Sequence, residues 1–239
     1  MIIMIKIYGK NCINEAIRAN NEIQVVYLLN DNKKKDMNFI NMLNDKKIKY
    51  EHINKEKMDK IFPSGHQGYG AYRNDYKLYS DDDLDQIVTK ASRILILDGI
   101  MDPHNLGAIL RSVDAFGVDL VILPKNRSCY ITETVAHVST GAIEYCKIMY
   151  VNSLSTITSR LKEFGFWICG TDAKGNIKAC DIDKSLKLAV IIGSEGFGMS
   201  KTLLKASDYL ITIPMIGHVN SLNASVSCAI VLHDLMKTD

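Results

Sequence analysis

The sequence predicts an α/β protein in two parts, a small N-terminal α/β unit followed by a larger domain on a mostly parallel sheet. Three observations carry this. From Arg93 onward, short apolar runs recur at wide spacing with helical patterns between them: Ile94 to Leu97, Val118 to Leu123, Cys146 to Tyr150, Phe166 to Cys169, Leu188 to Ile192 and Tyr209 to Ile213. Runs of this kind suit a parallel sheet covered on both faces. The segment Pro63 to Gly70 packs one proline and three glycines into eight positions, as a domain boundary does. Charge is also unevenly divided: residues 1 to 80 carry 14 Lys and Arg against 9 Asp and Glu, a balance of +5, while residues 81 to 239 carry 15 against 18, or −3.

In chain order, Ile2 to Tyr8 alternates as a first strand, and Gly9 ends it before a short helix over Cys12 to Ala19. Ile23 to Leu29 is a second strand, Asp31 to Asp36 with Lys33, Lys34 and Lys35 a charged loop. A helix over Met37 to Asp45 and a strand over Ile48 to Ile53 complete the first unit. This reading assigns 1–62 to the N-terminal domain, 63–90 to a linker and 91–239 to the second domain, with Ala71 to Ser80 either linker or edge strand. Asp81-Asp82-Asp83 reads as a helix N-terminus, where carboxylates complement the dipole, rather than as a ligand site.

At 239 residues, with 47% hydrophobic and 23% charged residues, the chain has the composition of a globular protein with a sizeable core. It has no uninterrupted apolar run of roughly 18 residues, and MIIMIKIYGK turns polar too soon for a signal peptide. A cytoplasmic protein without a membrane span is expected. The six cysteines, at 12, 129, 146, 169, 180 and 228, form no CxxC pair, sit mostly among apolar neighbours and read as reduced, buried thiols. The basic N-terminal third suits contact with a phosphate backbone, or is a solvated lysine-rich face.

Three stretches carry candidate chemistry. In Leu97-Asp98-Gly99-Ile100-Met101-Asp102-Pro103-His104-Asn105-Leu106-Gly107-Ala108-Ile109-Leu110-Arg111, Asp102 is an N-cap and Pro103 the first helical residue of a helix that follows a strand. Its apolar stripe is Leu106, Ile109, Leu110, Val113 and Phe116, and Arg111 lies off it. The second stretch, Ile191-Ile192-Gly193-Ser194-Glu195-Gly196-Phe197-Gly198-Met199-Ser200-Lys201, is a strand running into a glycine-rich loop ahead of a helix. Its G-x-x-G-x-G spacing fits neither a dinucleotide fingerprint nor a Walker loop. The third, YLITIPMIGHVNSLNASVSCAIVLHD from Tyr209 to Asp234, predicts a strand ended by Pro214, a polar turn over Gly217 to Ser221, and a helix from Leu222 through Val226, Ala229, Ile230 and His233. Ser221 and Asn223 are either ligand-gripping tips or local caps. The small residues Ala224, Ser225, Ser227, Cys228 and Ala229 would admit a second helix or simply pack.

Taken together, DPHNLGAILRS, IIGSEGFGMS and ITIPMIGHVNSLNASVS resemble, in type and order, the motifs of the SpoU (TrmH-like) family of RNA ribose 2′-O-methyltransferases. Pro124-Lys125-Asn126-Arg127-Ser128, Ser139-Thr140-Gly141-Ala142-Ile143-Glu144, the IYGKNCINEAI start and the His66-Gln67-Gly68 segment are similar to its RlmB-type ribosomal-RNA branch. The resemblance implies an N-terminal RNA-binding domain and a SPOUT methyltransferase domain whose C-terminal part forms a deep trefoil knot. It implies a homodimer, S-adenosylmethionine as cofactor, ribosomal RNA as substrate, and neither metal nor membrane. Carried over by position, Asn105, Arg111, Glu195, Ser221 and Asn223 match the family's catalytic residues. Gly193, Ile213 and Leu222 match its cofactor contacts, with Thr140, Gly141, Gly196 and Met215 close by.

The family's proposed general base is Arg111. Neutralising an arginine at pH 7 costs roughly 7 kcal/mol or more, so a cation that orients the target phosphate and stabilises the developing alkoxide is the better physical expectation. Glu195 and Asn105 would then hold the guanidinium, and Ser221 and Asn223 the ribose or the cofactor carboxylate. Competing readings are a tRNA methyltransferase, a non-catalytic ribosome-assembly factor of the same fold, and a Rossmann-type nucleotide enzyme.

Overall fold

The computed structural model describes residues 4–30, 36–218 and 221–236. The strands are β1 (Met4–Tyr8), β2 (Ile23–Leu29), β3 (Tyr50–Ile53), β4 (Tyr69–Asn74), β5 (Leu78–Tyr79), β6 (Arg93–Asp98), β7 (Leu120–Pro124), β8 (Ile148–Val151), β9 (Phe166–Thr171), β10 (Lys187–Gly193) and β11 (Tyr209–Ile211). The helices are α1 (Lys10–Arg18), α2 (Met37–Asp45), α3 (Lys55–Ile61), α4 (Leu84–Val88), α5 (Pro103–Ala115), α6 (Glu133–Val138), α7 (Leu154–Glu163), α8 (Lys201–Ala206) and α9 (Ala224–Met236). Two compact units result, Met1–Tyr76 with Ile131–Tyr145, and Lys77–Tyr130 with Cys146–Asp239. The lysine-rich stretch Lys33 to Lys35 lies outside the described residues.

The first unit holds a four-stranded sheet in the order β1-β4-β2-β3, with β4 antiparallel to both neighbours and β2 parallel to β3. Side chains alternate across it. Ile7, Val26 and Leu28 pack on one face with Ile13 and Ala16 of α1 and Phe39 and Leu43 of α2. Tyr8 and Ile53 meet Met58 and Phe62 in a second cluster, with Tyr27 and Leu29 packed against it. Asn54 caps α3, its side chain accepting from Lys57 N at 2.9 Å.

Two corrections to the sequence reading arise here. Residues 69 to 74, read as linker or edge, form the interior strand β4. Gly70 explains the misreading, because a Cβ there would stand 2.3 Å from the Phe62 ring, so this glycine admits an aromatic side chain rather than marking a boundary. Pro63 to Gly68 is a turn, in which His66 Nδ1 accepts from Gly68 N at 2.9 Å. The segment Ile131–Tyr145, read as part of the second domain, belongs to the first unit. Cys12 Sγ donates to Ala136 O at 3.3 Å, and the buried carboxylate of Glu144 receives Arg73, Asn21 and Tyr76.

The second unit is built on a seven-stranded sheet ordered β11-β9-β10-β6-β7-β8-β5, every neighbouring pair parallel. Ile94, Ile96, Leu120, Ile122, Ala189 and Ile191 pack on one face under α4, α7 and α8. Leu95, Leu97, Val121 and Leu123, the alternate residues, are also buried, as both-face coverage requires. α5 contacts α9, which in turn contacts β10. From β6 the chain moves to β7 and β8 on one side, then returns so that β10 pairs with β6 on the other. Loops leaving the carboxyl ends of β6 and β10 therefore diverge at a topological switch point, where open parallel sheets form their ligand crevice.

Candidate active site

Gly193, the last residue of β10, lies in register with Asp98, the last residue of β6. Beyond Asp98 the chain turns through Gly99 at φ +84°. Asp102 then caps α5, its Oδ1 accepting from His104 N at 2.9 Å with Pro103 in the first turn. Leu106, Ile109, Leu110 and Val113 are buried as the stripe predicts. The Asp98 carboxylate accepts from Ser200 N at 2.7 Å, so the end of β6 is tied to the entry of α8.

Beyond Gly193 the chain makes a tight loop. Ser194 and Gly198 exchange backbone hydrogen bonds of 3.1 and 2.9 Å. A Cβ on Gly193 would stand 2.3 Å from Gly198 C and 2.4 Å from Met199 N, backbone atoms that cannot rotate aside. Gly196 and Gly198 take φ of +86° and +65°, which other residues rarely adopt. The loop thus offers backbone rather than side chains at the strand end, the form in which a glycine-rich loop accepts a ligand.

The three motifs meet at one carboxylate oxygen. Glu195 Oε1 accepts from Asn105 Nδ2 at 3.1 Å, from Ala224 N at 3.1 Å, and from Asn223 Nδ2. Asn223 Nδ2 also donates to Asn105 Oδ1 at 2.9 Å, closing a triangle of three side chains. Asn223 Oδ1 accepts from Ser225 N at 2.9 Å and from Ser225 Oγ at 2.6 Å, so the residue caps α9 while bridging the other two motifs. The Glu195 carboxylate lies at the α9 N-terminus, where the helix dipole favours negative charge.

Arg111 sits on the exposed side of α5 and makes no hydrogen bond or ion pair to any described residue. The expectation that Glu195 and Asn105 hold its guanidinium is therefore corrected: both are engaged with Asn223. The reason is geometric, since Arg111 lies six residues beyond Asn105 and projects about 120° around the helix from it. Ser221 is exposed, and Leu222 half-buried, ahead of α9. β11 ends at Ile211, two residues earlier than predicted, leaving Ile213 half-buried and Met215 exposed beyond the carboxyl edge of the same parallel sheet. Thr140 and Gly141 fall in the first unit. There Thr140 takes φ +56° and Gly141 φ +94°, and a Cβ on Gly141 would stand 2.6 Å from Glu15 Cβ.

A cavity of about 630 Å³ opens between the first two motifs, lined by residues that include Asp98, Asp102, Asn105, Arg127, Glu195, Phe197 and Lys201. Arg127 and Phe197 were not among the site residues the motifs named. Arg127 held a signal in its Pro-Lys-Asn-Arg-Ser loop, but the near-complete exposure of Phe197 had none. Among the described residues no group of three or more His, Cys, Asp or Glu could hold a metal ion, and no helix is long and apolar enough to cross a membrane.

A parallel α/β sheet with a glycine-rich loop and a capped helix closing on its switch point forms a crevice of the small-molecule-binding α/β class, here in a chain that also carries a separate small α/β unit. Residues 92–233 match the model of the SpoU rRNA Methylase family, and residues 6–79 that of RNA 2′-O ribose methyltransferase substrate binding. The chain is 41% identical over 238 residues to a Staphylococcus saprophyticus protein assigned to the TrmH family of tRNA/rRNA methyltransferases, spanning 98% of this chain and 95% of that one. It therefore belongs to the SpoU rRNA methylase family and is an S-adenosylmethionine-dependent RNA 2′-O-methyltransferase. Its fold is shared with the SpoU methyltransferase AviRb of Streptomyces viridochromogenes, solved with AdoMet, at a TM-score of 0.80 and 21% identity over 98% of this chain and 89% of that one. An AdoMet-bound rRNA methyltransferase of Sinorhizobium meliloti gives 0.77 and 19%, over 97% and 86%.

Proposed function

We propose that this chain methylates the ribose 2′-hydroxyl of a guanosine in large-subunit (23S-type) rRNA, working in the cytoplasm as an RlmB-type homodimer with a C-terminal knot. The observation that carries the reading is the convergence of Asn105, Glu195 and Asn223, one from each motif, at the carboxyl ends of β6 and β10. Preference for rRNA rests on the substrate-binding match over residues 6–79 and the +5 balance of residues 1 to 80. The relatives' names cover tRNA as well as rRNA. A homodimer is supported by the α9 face on which Val226 is exposed and Ala229 and Ile230 are only half-buried.

When bound, S-adenosylmethionine supplies an electrophilic methyl group, and the residues present fit such a donor. Gly193 keeps side chains out of the strand end, and Gly196, Ile213, Met215 and Leu222 line the chain segments that follow β10 and β11. Methyl transfer to a hydroxyl is an in-line displacement, so fixing the oxygen in alignment supplies much of the rate. The Asn105–Glu195–Asn223 triangle locks the loops that would hold donor and ribose before either binds. Arg111, exposed and without a described partner, is available to an RNA phosphate and to the alkoxide that forms as the hydroxyl loses its proton.

The test uses purified protein, tritiated S-adenosylmethionine, and rRNA and tRNA fractions from cells lacking the gene. Label entering large-subunit rRNA and not tRNA is the expected result. Label in tRNA alone overturns the substrate, and label in neither overturns the reading. An Arg111→Lys variant with near-normal turnover and a pH profile displaced toward that of lysine would show Arg111 to be a base rather than a clamp.

A further inference from the structure

Phe197 is 95% exposed, although burying a phenylalanine ring is among the larger apolar gains a fold can make. Its exposure is not that of a loose loop. Gly196 and Gly198 flank it at positive φ, mutual backbone hydrogen bonds between Ser194 and Gly198 close the turn, and neighbouring Glu195 is fixed by three donors. The ring is therefore presented by a constrained turn at the wall of the 630 Å³ cavity, a size within the range of about 300–1,000 Å³ typical of small-molecule sites.

Charge in the same cavity is asymmetric in its availability. The carboxylates of Asp98, Asp102 and Glu195 already accept from Ser200 N, His104 N and the Asn105–Asn223–Ala224 group. Arg127 and Lys201 make no hydrogen bond or ion pair to any described residue. Arg127 is moreover held at φ +59°, a conformation few non-glycine residues adopt. A rigid exposed aromatic face beside two unengaged cations suits a nucleotide: every base offers a π face for stacking, and phosphate oxygens suit the cations.

We infer that Phe197 is the stacking platform for the unstacked target nucleotide, and that Arg127 and Lys201 hold its flanking phosphates in the same cavity. The inference rests on the ribose-methylation reading above and names the nucleotide-positioning surface of that site. An enzyme acting on a ribose buried in folded RNA gains from turning the nucleotide out, and the ring offers a surface to receive it.

The test compares full-length wild type with Phe197→Ala, Phe197→Leu and Phe197→Trp, using tritiated S-adenosylmethionine and total RNA from cells lacking the gene. The Ala and Leu variants are expected to raise KM for RNA between about 5-fold and 150-fold, the span of base–aromatic stacking, with donor affinity unchanged and the Trp variant near wild type. Full activity in the Leu variant, or weakening of donor binding in the Ala variant by as much as RNA, overturns the inference. A wild type that labels no RNA overturns the underlying reading with it, whereas equal labelling by wild type and the Ala variant overturns only the stacking role. Trp167 is the chain's single tryptophan, so combining Trp167→Phe with Phe197→Trp leaves one indole, on this loop. Its fluorescence should be quenched by a single-stranded oligoribonucleotide; no quenching overturns the inference independently of activity.

Discussion

One side chain, Asn223, both caps α9 and joins the other two motifs. Asn223→Ala removes the cap, about 0.5–2 kcal/mol, and donations to Asn105 and to the Glu195 carboxylate, where a charged acceptor makes a hydrogen bond worth about 1.5–3 kcal/mol. Both Asn223 and Glu195 are exposed, so the upper ends do not apply and a combined loss of about 1–3 kcal/mol follows. Asn223→Asp separates the two roles. It keeps an acceptor for Ser225 N and Val226 N, but it removes the donors and sets a second carboxylate against Glu195. The Asp variant should therefore keep the cap's share of the stability and lose only the share of the two donations, while S-adenosylmethionine binds about 5–30-fold more weakly by calorimetry. If Asp binds the donor as tightly as wild type, the triangle is a cap and nothing more, and the argument for loop preorganisation fails.

Gly193→Ala places a methyl group 2.3 Å from backbone, so the loop must move; donor affinity should fall at least about tenfold with far-UV circular dichroism unchanged, as calorimetry and spectroscopy will show. Glu144→Ala strands the buried Arg73 guanidinium and removes an acceptor from Asn21 and Tyr76, an expected loss of about 3–5 kcal/mol in chemical denaturation. Part of that loss should be recovered when Arg73→Met is added. Burial pushes the thiols of Cys12, Cys146, Cys169 and Cys228 up to about 12, so their reactive thiolates form only as pH approaches that value. Iodoacetamide at pH 8 should therefore alkylate the exposed Cys180 first in the native protein, with the site read by mass spectrometry.

The parallel sheet was legible because strands buried on both faces must be apolar throughout, and Ile94 to Leu97 or Leu120 to Leu123 leave no other reading. Asp102 with Pro103 likewise marked the start of α5 by local chemistry alone. What escaped depends on distant partners. Gly70 looks like punctuation until Phe62 is packed against it, and Glu144 belongs to the first unit because of Arg73, seventy-one residues earlier. The partner of Glu195 was misread for the same reason: a carboxylate in a tight loop announces that it has a partner, but only tertiary structure selects Asn223 over Arg111. From sequence alone Ser221 and Asn223 read equally as caps or as site residues, and Asn223 caps α9 while also joining Asn105 to Glu195. The exposure of Phe197 had no signature, since an isolated phenylalanine in a sequence reads as core.

Whether this chain methylates ribose in large-subunit rRNA is read from a map of 2′-O-methyl groups in rRNA and tRNA of cells with and without the gene. Deletion of the gene is expected to remove one 2′-O-methylguanosine from the large-subunit rRNA and to leave every tRNA position unchanged. A methylation pattern identical in both strains across all RNAs would contradict it.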